Sequence, residues 1–387
     1  MREPEARLAL DGATLVLGRR TIDSAHGPFE VMFFRDQPRG QTAMAIVRGH
    51  IVERAPLLTR VHSSCLTSEC LMAGDCDCAQ QLDRSLAMIA AEGRGVVFYL
   101  MQEGRGAGLS AKARDRMIVQ ASGHRLTTFD AYAEMGLPSD LRNYDCLGPM
   151  ASALGIRGPL ELLTNNPEKA EGVARSLANE KIDVTRRRAI EGPMSPFNFD
   201  YLRAKRRSGH FLARGGAVVS ALPPESIAVE DALCSEGHPH LISTAHYFLP
   251  VVLSPDAKPR ERVDWFRMRV VYDRQTARES VLLSLGSPER TADRGGVGVT
   301  LSLLDRLPCS ESTGRLALRE TLLSIRDQGA GRVAVHFDAE NPRADLETGC
   351  GIDVDPALSR EMLAARWLDV DETFDFREAH EAGDAER

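Results

Sequence analysis

The 387-residue sequence contains no apolar run approaching the roughly 20 residues that a membrane-crossing helix needs, which excludes a helical anchor and points away from a membrane partner. Its first residues, Met1-Arg-Glu-Pro-Glu-Ala-Arg7, lack the apolar stretch of a secretory signal, so the cytoplasm is the expected compartment. An excess of basic residues is also missing. Lys and Arg number 48 against 55 Asp and Glu, a net charge of −7, which disfavours a nucleic-acid partner but leaves room for a local basic pocket. Internal repeats and low-complexity segments are absent. Cysteine is scarce too: eight residues are too few to staple a scaffold of this length, and a reducing compartment disfavours disulfides.

What is present is the composition of a globular protein, 43% hydrophobic and 27% charged. At roughly 150 residues per domain, the length suggests two or three domains. Residues 1–20 read as a charged lead-in. Strand formers gather at 28–36 and 42–48, with Pro38-Arg-Gly40 as a turn between them. Leu82, Leu86 and Ile89 fall at helical spacing within 79–92, and Gly93 and Gly95 end that helix. A short buried strand follows from Gly95, then helices at 109–121 and 145–155, a strand from Leu160 and a helix at 168–179. This alternation predicts an α/β (α+β) mixed-sheet domain over 21–212. Gly215-Gly216 and Pro223-Pro224 are boundary signals. Beyond them, strand candidates at 246–253, 266–272, 279–285 and 332–337 and helix candidates at 315–327 and 357–367 predict a second α/β or α+β domain over 213–372. Residues 373–387 read as a flexible tail.

Half of the cysteines, Cys65, Cys70, Cys76 and Cys78, fall within 14 residues. Cys65, Cys76 and Cys78 stand just before a predicted helix, whose N-terminal dipole favours thiolates. Three thiolates satisfy Zn²⁺ and leave a fourth position open, the arrangement of a catalytic site. Spacing alone leaves a closed structural site, with Cys70 as fourth ligand, equally open. The neighbours tip the balance. Gln102-Glu103-Gly104-Arg105-Gly106-Ala-Gly108 is a glycine-rich strand-to-helix turn suited to an anionic group. Thr164-Asn-Asn-Pro-Glu-Lys169, at a second such junction, adds a hydroxyl and a cation. Together they fit a phosphorylated substrate presented to a zinc-bound water.

Arg60-Val-His62-Ser63-Ser64-Cys65-Leu-Thr-Ser-Glu69, Asp75-Cys76-Asp-Cys78-Ala-Gln-Gln81-Leu, Tyr99-Leu-Met-Gln-Glu103-Gly104-Arg105-Gly-Ala-Gly-Leu and Leu162-Leu-Thr164-Asn-Asn-Pro-Glu-Lys169 resemble GTP cyclohydrolase II in order and spacing, over about residues 20–212. The resemblance implies Cys65, Cys76 and Cys78 as ligands of one zinc. It implies a nucleotide site formed by Arg60, His62, Ser63, Ser64, Gln81, Glu103, Gly104, Arg105, Thr128, Thr164 and Lys169. Within it, Glu103 is the expected acceptor for a guanine-like edge, and Arg105 and Lys169 are expected to hold phosphate. The same resemblance makes Asp140 the proton acceptor and Arg142 the group that attacks the α-phosphate. From charge alone Arg142 reads better as a phosphate clamp, because a guanidinium stays protonated. The implied reaction removes C8 of GTP as formate and releases pyrophosphate with the help of Mg²⁺, the entry step of riboflavin synthesis. The family also implies a homodimer.

The sequence departs from the family in places. Where typical members carry a tyrosine, eight residues beyond Gly108, this chain has Arg116, with Met117 next. The tyrosine is associated with the later hydrolytic step, so its absence points to a formylated ring-opened product. Ser64 replaces a common Glu. Lys112-Ala-Arg-Asp-Arg116-Met and Ser195-Pro-Phe-Asn-Phe-Asp-Tyr-Leu-Arg-Ala-Lys205 are similar to divergent members linked to uracil breakdown or secondary metabolism. Opening of a uracil-type ring is therefore one alternative, and a non-catalytic zinc-stabilised nucleotide sensor is another. His238-Pro-His240 and His246 read as solvated loop histidines, with a second metal as the lesser reading, Arg294-Gly-Gly-Val-Gly298 as a turn, and Arg186-Arg-Arg and Lys205-Arg-Arg as solvated faces, with a role near phosphate as the lesser reading. Cys234, Cys309 and Cys350 read as inert.

Overall fold

A computed structural model of the chain describes residues 14–36, 38–212, 218–235, 238–254, 263–287, 290–291, 294, 296–308 and 313–338. The first half builds a seven-stranded mixed sheet. Strands β1 (Thr14–Ser24), β2 (Gly27–Asp36) and β3 (Gln41–Arg48) run as an antiparallel meander. Then come β4 (Leu57–Ser63), the short helix α1 (Leu66–Glu69), α2 (Cys78–Glu92), β5 (Gly95–Leu100), α3 (Leu109–Ala121), α4 (Thr128–Glu134), α5 (Leu147–Ala153), β6 (Leu160–Leu163), α6 (Pro167–Leu177), β7 (Val184–Arg188) and α7 (Phe199–Arg207). The strand order is β1-β2-β3-β5-β4-β6-β7, with β5, β4, β6 and β7 parallel to one another. Parallel neighbours align their C-terminal ends, so the loops after β4, β5 and β6 gather at one edge, where ligands bind in such sheets.

Local chemistry explains several of these elements. Leu82, Leu86 and Ile89 form the buried stripe of α2, which ends at Gly93 in a left-handed cap. Thr127 and Asp130 make a reciprocal capping box on α4. Asn166 caps α6 by accepting from the backbone of Glu168 and Lys169, and Pro167 opens the helix.

The second half adds β8 (Leu233–Cys234), β9 (Leu241–Val252), β10 (Val263–Asp273), β11 (Arg278–Leu285), β12 (Gly296–Ser302), α8 (Thr313–Gln328) and β13 (Gly331–Asp338). Their six-stranded sheet has the order β12-β13-β11-β10-β9-β8, with β12 and β13 parallel and the rest antiparallel. The molecule is thus a mixed α/β protein with two mixed sheets. One apolar cluster joins its halves: Leu109, Ala113 and Met117 of α3 and Leu66, Cys70, Leu71 and Ala73 pack among Tyr247, Leu249, Phe266 and Val281 of the second sheet. Spaced four apart, the three α3 residues form the stripe that faces that sheet.

Three readings of the sequence change. Residues 14–20, read as lead-in, belong to β1, whose partner β2 follows it across a tight turn at Gly27. Gly296-Val-Gly298, part of the stretch from Arg294 that reads as a turn, opens strand β12, held by parallel pairing to β13. Helix α7 was not foreseen. The helix candidate at 357–367, the tail, Gly215-Gly216, Cys309 and Cys350 lie outside the described residues.

Candidate active site

Cys65 lies two residues beyond β4, at the cap position of α1, while Cys76 immediately precedes the cap of α2 and Cys78 is the first residue of that helix. Their sulfurs lie within 4.8 Å of one another, with Cys65 and Cys76 Sγ 3.7 Å apart. All three are free thiols, two buried and one partly so. Tetrahedral zinc with Zn–S near 2.3 Å needs sulfurs about 3.8 Å apart, so the trio fits that ion. A hydrogen bond with Cys76 holds the Cys65 thiol well up, one with Cys65 does the same to Cys78, and burial adds to both. A bound divalent cation would remove that penalty. Cys70, the rival fourth ligand, lies in the apolar cluster outside the trio, and burial pushes its thiol up to about 12. The described residues hold no other group of three metal-ligating side chains, so His238, His240 and His246 do not form one.

Beside the trio opens a cleft of about 200 Å³ that Cys78 helps to line. Five cations reach it: Arg60 from β4, Arg105 from the glycine loop, Arg142, Lys169 from α6 and Lys205 from α7. Asp140 and Glu168 are its only lining carboxylates among the described residues. So unbalanced a wall suits a polyanion. Burial, then the charges of Arg142 and Arg60, hold Lys169 well below the ordinary lysine range. Burial and the surrounding cations likewise lower His210 to about 4.

Hydrogen bonds fix these groups. Arg60 donates to the Leu163 carbonyl at 2.8 Å and to Gln81 Oε1 at 2.7 Å, and Gln81 Nε2 donates to Asp77 at 2.6 Å. Asp77, between Cys76 and Cys78, also accepts from Lys205 Nζ at 3.1 Å. One chain of contacts thus ties two of the cleft's cations, Arg60 and Lys205, to the thiol loop.

The glycine loop positions the opposite wall. A Cβ at Gly106 would lie 2.9 Å from the Leu141 backbone, so only glycine allows the segment carrying Asp140 and Arg142 to pack there. Arg105 itself adopts a left-handed backbone, φ 54°, and its guanidinium lies 4.2 Å from the Phe129 ring centroid. Arg142 Nε donates to Asp140 Oδ1 at 2.8 Å, and its Nη2 donates to Oδ2. Burial opposes this pairing, yet Asp140 is held below the usual carboxylate range and Arg142 above its usual range. Arg142 is therefore a firmly charged guanidinium.

Most sequence-predicted residues converge on the cleft: Arg60, His62, Ser63, Gln81, Arg105, Asp140, Arg142, Thr164 and Lys169 line it. Glu103, Gly104, Ser64 and Thr128 do not. Glu103 accepts from the Leu66 N–H at 2.5 Å, from Lys112 Nζ at 2.8 Å and from the Gly104 N–H at 3.0 Å, which leaves it engaged rather than waiting for a base edge. Gly104 is buried and gives its carbonyl to Tyr132. Ser64 is buried. Thr128 donates to buried Asp115 at 2.8 Å, and the next residue, Phe129, lines the cleft instead. Sequence reasoning missed Tyr201 and gave Lys205 a place near phosphate only as the lesser reading; the two sit four apart on α7 and both line the cleft. Their basic surroundings read as a solvated face, whereas the fold turns this side inward. Arg116, in place of the family tyrosine, pairs with Asp75 at 3.2 Å and lies 4.7 Å from the Tyr201 ring centroid.

The second half braces the site. Gly74 N–H donates to the Pro250 carbonyl at 2.7 Å and Val252 N–H to Met72 at 2.9 Å, so β9 grips the loop between Cys65 and Cys76. Glu279 of β11 accepts from Ser110 N–H at 2.8 Å and Leu109 N–H at 3.2 Å, capping α3. The side chain of Gln120 pairs with both backbone groups of Phe248.

This arrangement is that of an α/β enzyme with a strongly basic cleft set against a trio of potential metal-binding thiols. A family model described as GTP cyclohydrolase II matches residues 16–189. The chain is 39% identical over 192 residues to GTP cyclohydrolase-2 of Azotobacter vinelandii, covering 49% of this chain and 88% of that protein. It is 36% identical over 192 residues to GTP cyclohydrolase-2 of Teredinibacter turnerae, covering 49% of this chain and 92% of that one. Against the riboflavin biosynthesis protein RibBA of Chlorobium phaeovibrioides, identity is 37% over 193 residues, 50% of this chain and 45% of that protein. The chain belongs to the GTP cyclohydrolase II family and is a GTP cyclohydrolase II-like hydrolase. No helix among the described residues is long and apolar enough to cross a membrane.

Proposed function

We propose that this protein is a zinc-dependent hydrolase that opens the imidazole ring of GTP at C8, releases pyrophosphate and stops at the formylated ring-opened nucleotide. The observation that carries the proposal is the shared position of Cys78, which belongs to the thiol trio and also lines the five-cation cleft. Cys65, Cys76 and Cys78 would hold the zinc, which supplies Lewis acidity and an activated water when bound.

The chain's own residues do the rest. Arg105, Lys169 and Arg142 hold the triphosphate, and Arg142, firmly protonated, acts as a clamp on the α-phosphate while a water attacks that phosphorus and pyrophosphate leaves with the bridging oxygen. Asp140, kept ionised by Arg142, takes up a proton during ring opening. Lys205 and Gln81 hold Asp77, and with it the spacing of Cys76 and Cys78. Mg²⁺ would arrive with the triphosphate, because that ion is held chiefly through substrate phosphates and its own waters. Arg116 takes the place of the family tyrosine and is locked to Asp75, which supports retention of the formyl group.

The test compares zinc-loaded with chelator-treated protein on GTP, reading pyrophosphate and formate. Metal-dependent pyrophosphate release with little formate is the expected outcome. Loss of GTP by neither sample, with tight GTP binding retained, would instead identify a nucleotide sensor.

A further inference from the structure

We infer that Tyr99 and Glu69 fix His62 in a single neutral tautomer, with Nδ1 left free to accept a hydrogen bond from the bound nucleotide. The inference rests on the reading of the cleft as a nucleotide site. His62 and Tyr99 are register partners on the parallel strands β4 and β5, and their ring centroids lie 5.5 Å apart. Glu69, at the end of α1, meets both. Its Oε1 lies 2.8 Å from His62 Nε2, and its Oε2 accepts from the Tyr99 hydroxyl at 2.5 Å. His62 and Glu69 are 2% and 1% exposed, so no water competes for these contacts.

The logic is one of donors and acceptors. A carboxylate only accepts, so Nε2 must carry the proton that faces Glu69. In a neutral ring Nδ1 then carries the lone pair. Three charged groups act on this imidazole: Glu69 from α1 favours the charged form, while Arg60 on β4 and Lys169 on α6 oppose it. Burial outweighs them all and holds His62 below the ordinary histidine range, in the neutral form. Nδ1 is a buried nitrogen with no hydrogen-bond partner, on a ring that lines the cleft. Buried acceptors are rarely left unpaired, and a ligand N–H or O–H would satisfy this one. Glu69 and Tyr99 are therefore positioning residues that act through His62, and the recognised chemistry is a hydrogen-bond donor on the base or ribose.

The test uses ¹⁵N-histidine NMR on the zinc-loaded full chain, with the His62 signals assigned from His62→Gln. The probe is a GTP analogue carrying a methylene bridge between its α- and β-phosphorus atoms. Expected are a protonated Nε2, an unprotonated Nδ1, and a shift on nucleotide addition that is larger at Nδ1. Glu69→Gln and Tyr99→Phe should mix the tautomers and lower kcat/KM for GTP about tenfold, the worth of one oriented hydrogen bond. A protonated Nδ1, an Nδ1 signal unmoved by nucleotide, or variants with unchanged tautomer and turnover would each overturn the inference. If Glu69→Gln does not fold, Tyr99→Phe, which removes one oxygen, decides. If GTP is not turned over at all, the proposed function fails, and the nitrogen shifts still decide this point. Analogues lacking the base amine or the ribose hydroxyls then show which donor Nδ1 meets.

Discussion

Replacing Glu279 with alanine should weaken a site to which Glu279 contributes no contact with substrate. Helix α3 begins at Gly108, which has no side chain to cap it, and its first two N–H groups are served by Glu279 from β11. A lost cap costs about 1 kcal/mol, and loss of a half-buried negative charge at a helix N-terminus about 0.3–1 kcal/mol more. Glu279→Ala should therefore cost about 1.3–2 kcal/mol, and Glu279→Gln, which keeps one acceptor but no charge, roughly half of that. Lys112 lies in the same first turn and bridges Cys65 Sγ at 3.0 Å to Glu103 at 2.8 Å. Fraying there should loosen the thiol trio as well. Thermal unfolding should show a midpoint lowered by about 2–4 °C, larger for alanine than for glutamine. Zinc affinity should fall in the same order. If Glu279→Ala unfolds and binds zinc like the parent, the second sheet does not brace α3 and the reasoning fails.

Other expectations follow from single contacts. Arg116→Tyr removes the partner of Asp75 and restores a phenol beside the thiols. It should lower stability but raise the formate released per pyrophosphate, as read by coupled assay of both products. Lys205→Met should weaken zinc and nucleotide binding together, because Lys205 both holds Asp77 and faces the cleft; metal titration and dialysis against GTP measure the two. Thr127→Ala should cost about 1 kcal/mol in denaturant unfolding by deleting the α4 cap. His210, with a folded pKa near 4, binds fewer protons than the unfolded chain between about pH 6.5 and 4. It therefore lowers stability as pH falls through that window. A bound triphosphate should raise its pKa, seen as proton uptake on nucleotide addition near pH 5.

The thiol trio and most of the cleft were legible because short motifs carry them. Arg60, His62 and Cys65 are fixed by one strand and its end, and Cys76, Cys78 and Gln81 by one helix start. What the sequence hid depends on tertiary partners. Glu103 looks like a free acceptor until Leu66, Gly104 and Lys112 are seen to occupy it. Lys205 looks like part of a solvated basic run until α7 folds over the cleft and Asp77 meets it. Cys70 resembles a fourth ligand until the second sheet packs its apolar face against it. Strands β1 and β12 are too charged and too glycine-rich to announce themselves, and exist through their pairing with β2 and β13. Even the −7 net charge concealed a strongly cationic pocket, because the pocket is built by folding rather than by composition.

The most direct test of the central claim is mass spectrometry of GTP incubated with zinc-loaded protein and Mg²⁺, with UMP and uridine in parallel. The account predicts a product from GTP that has gained one water at the ring, exchanged pyrophosphate for a second water at the α-phosphate and kept its formyl carbon, with the uracil compounds unchanged. An intact GTP pool beside a hydrated or opened uracil ring would contradict it.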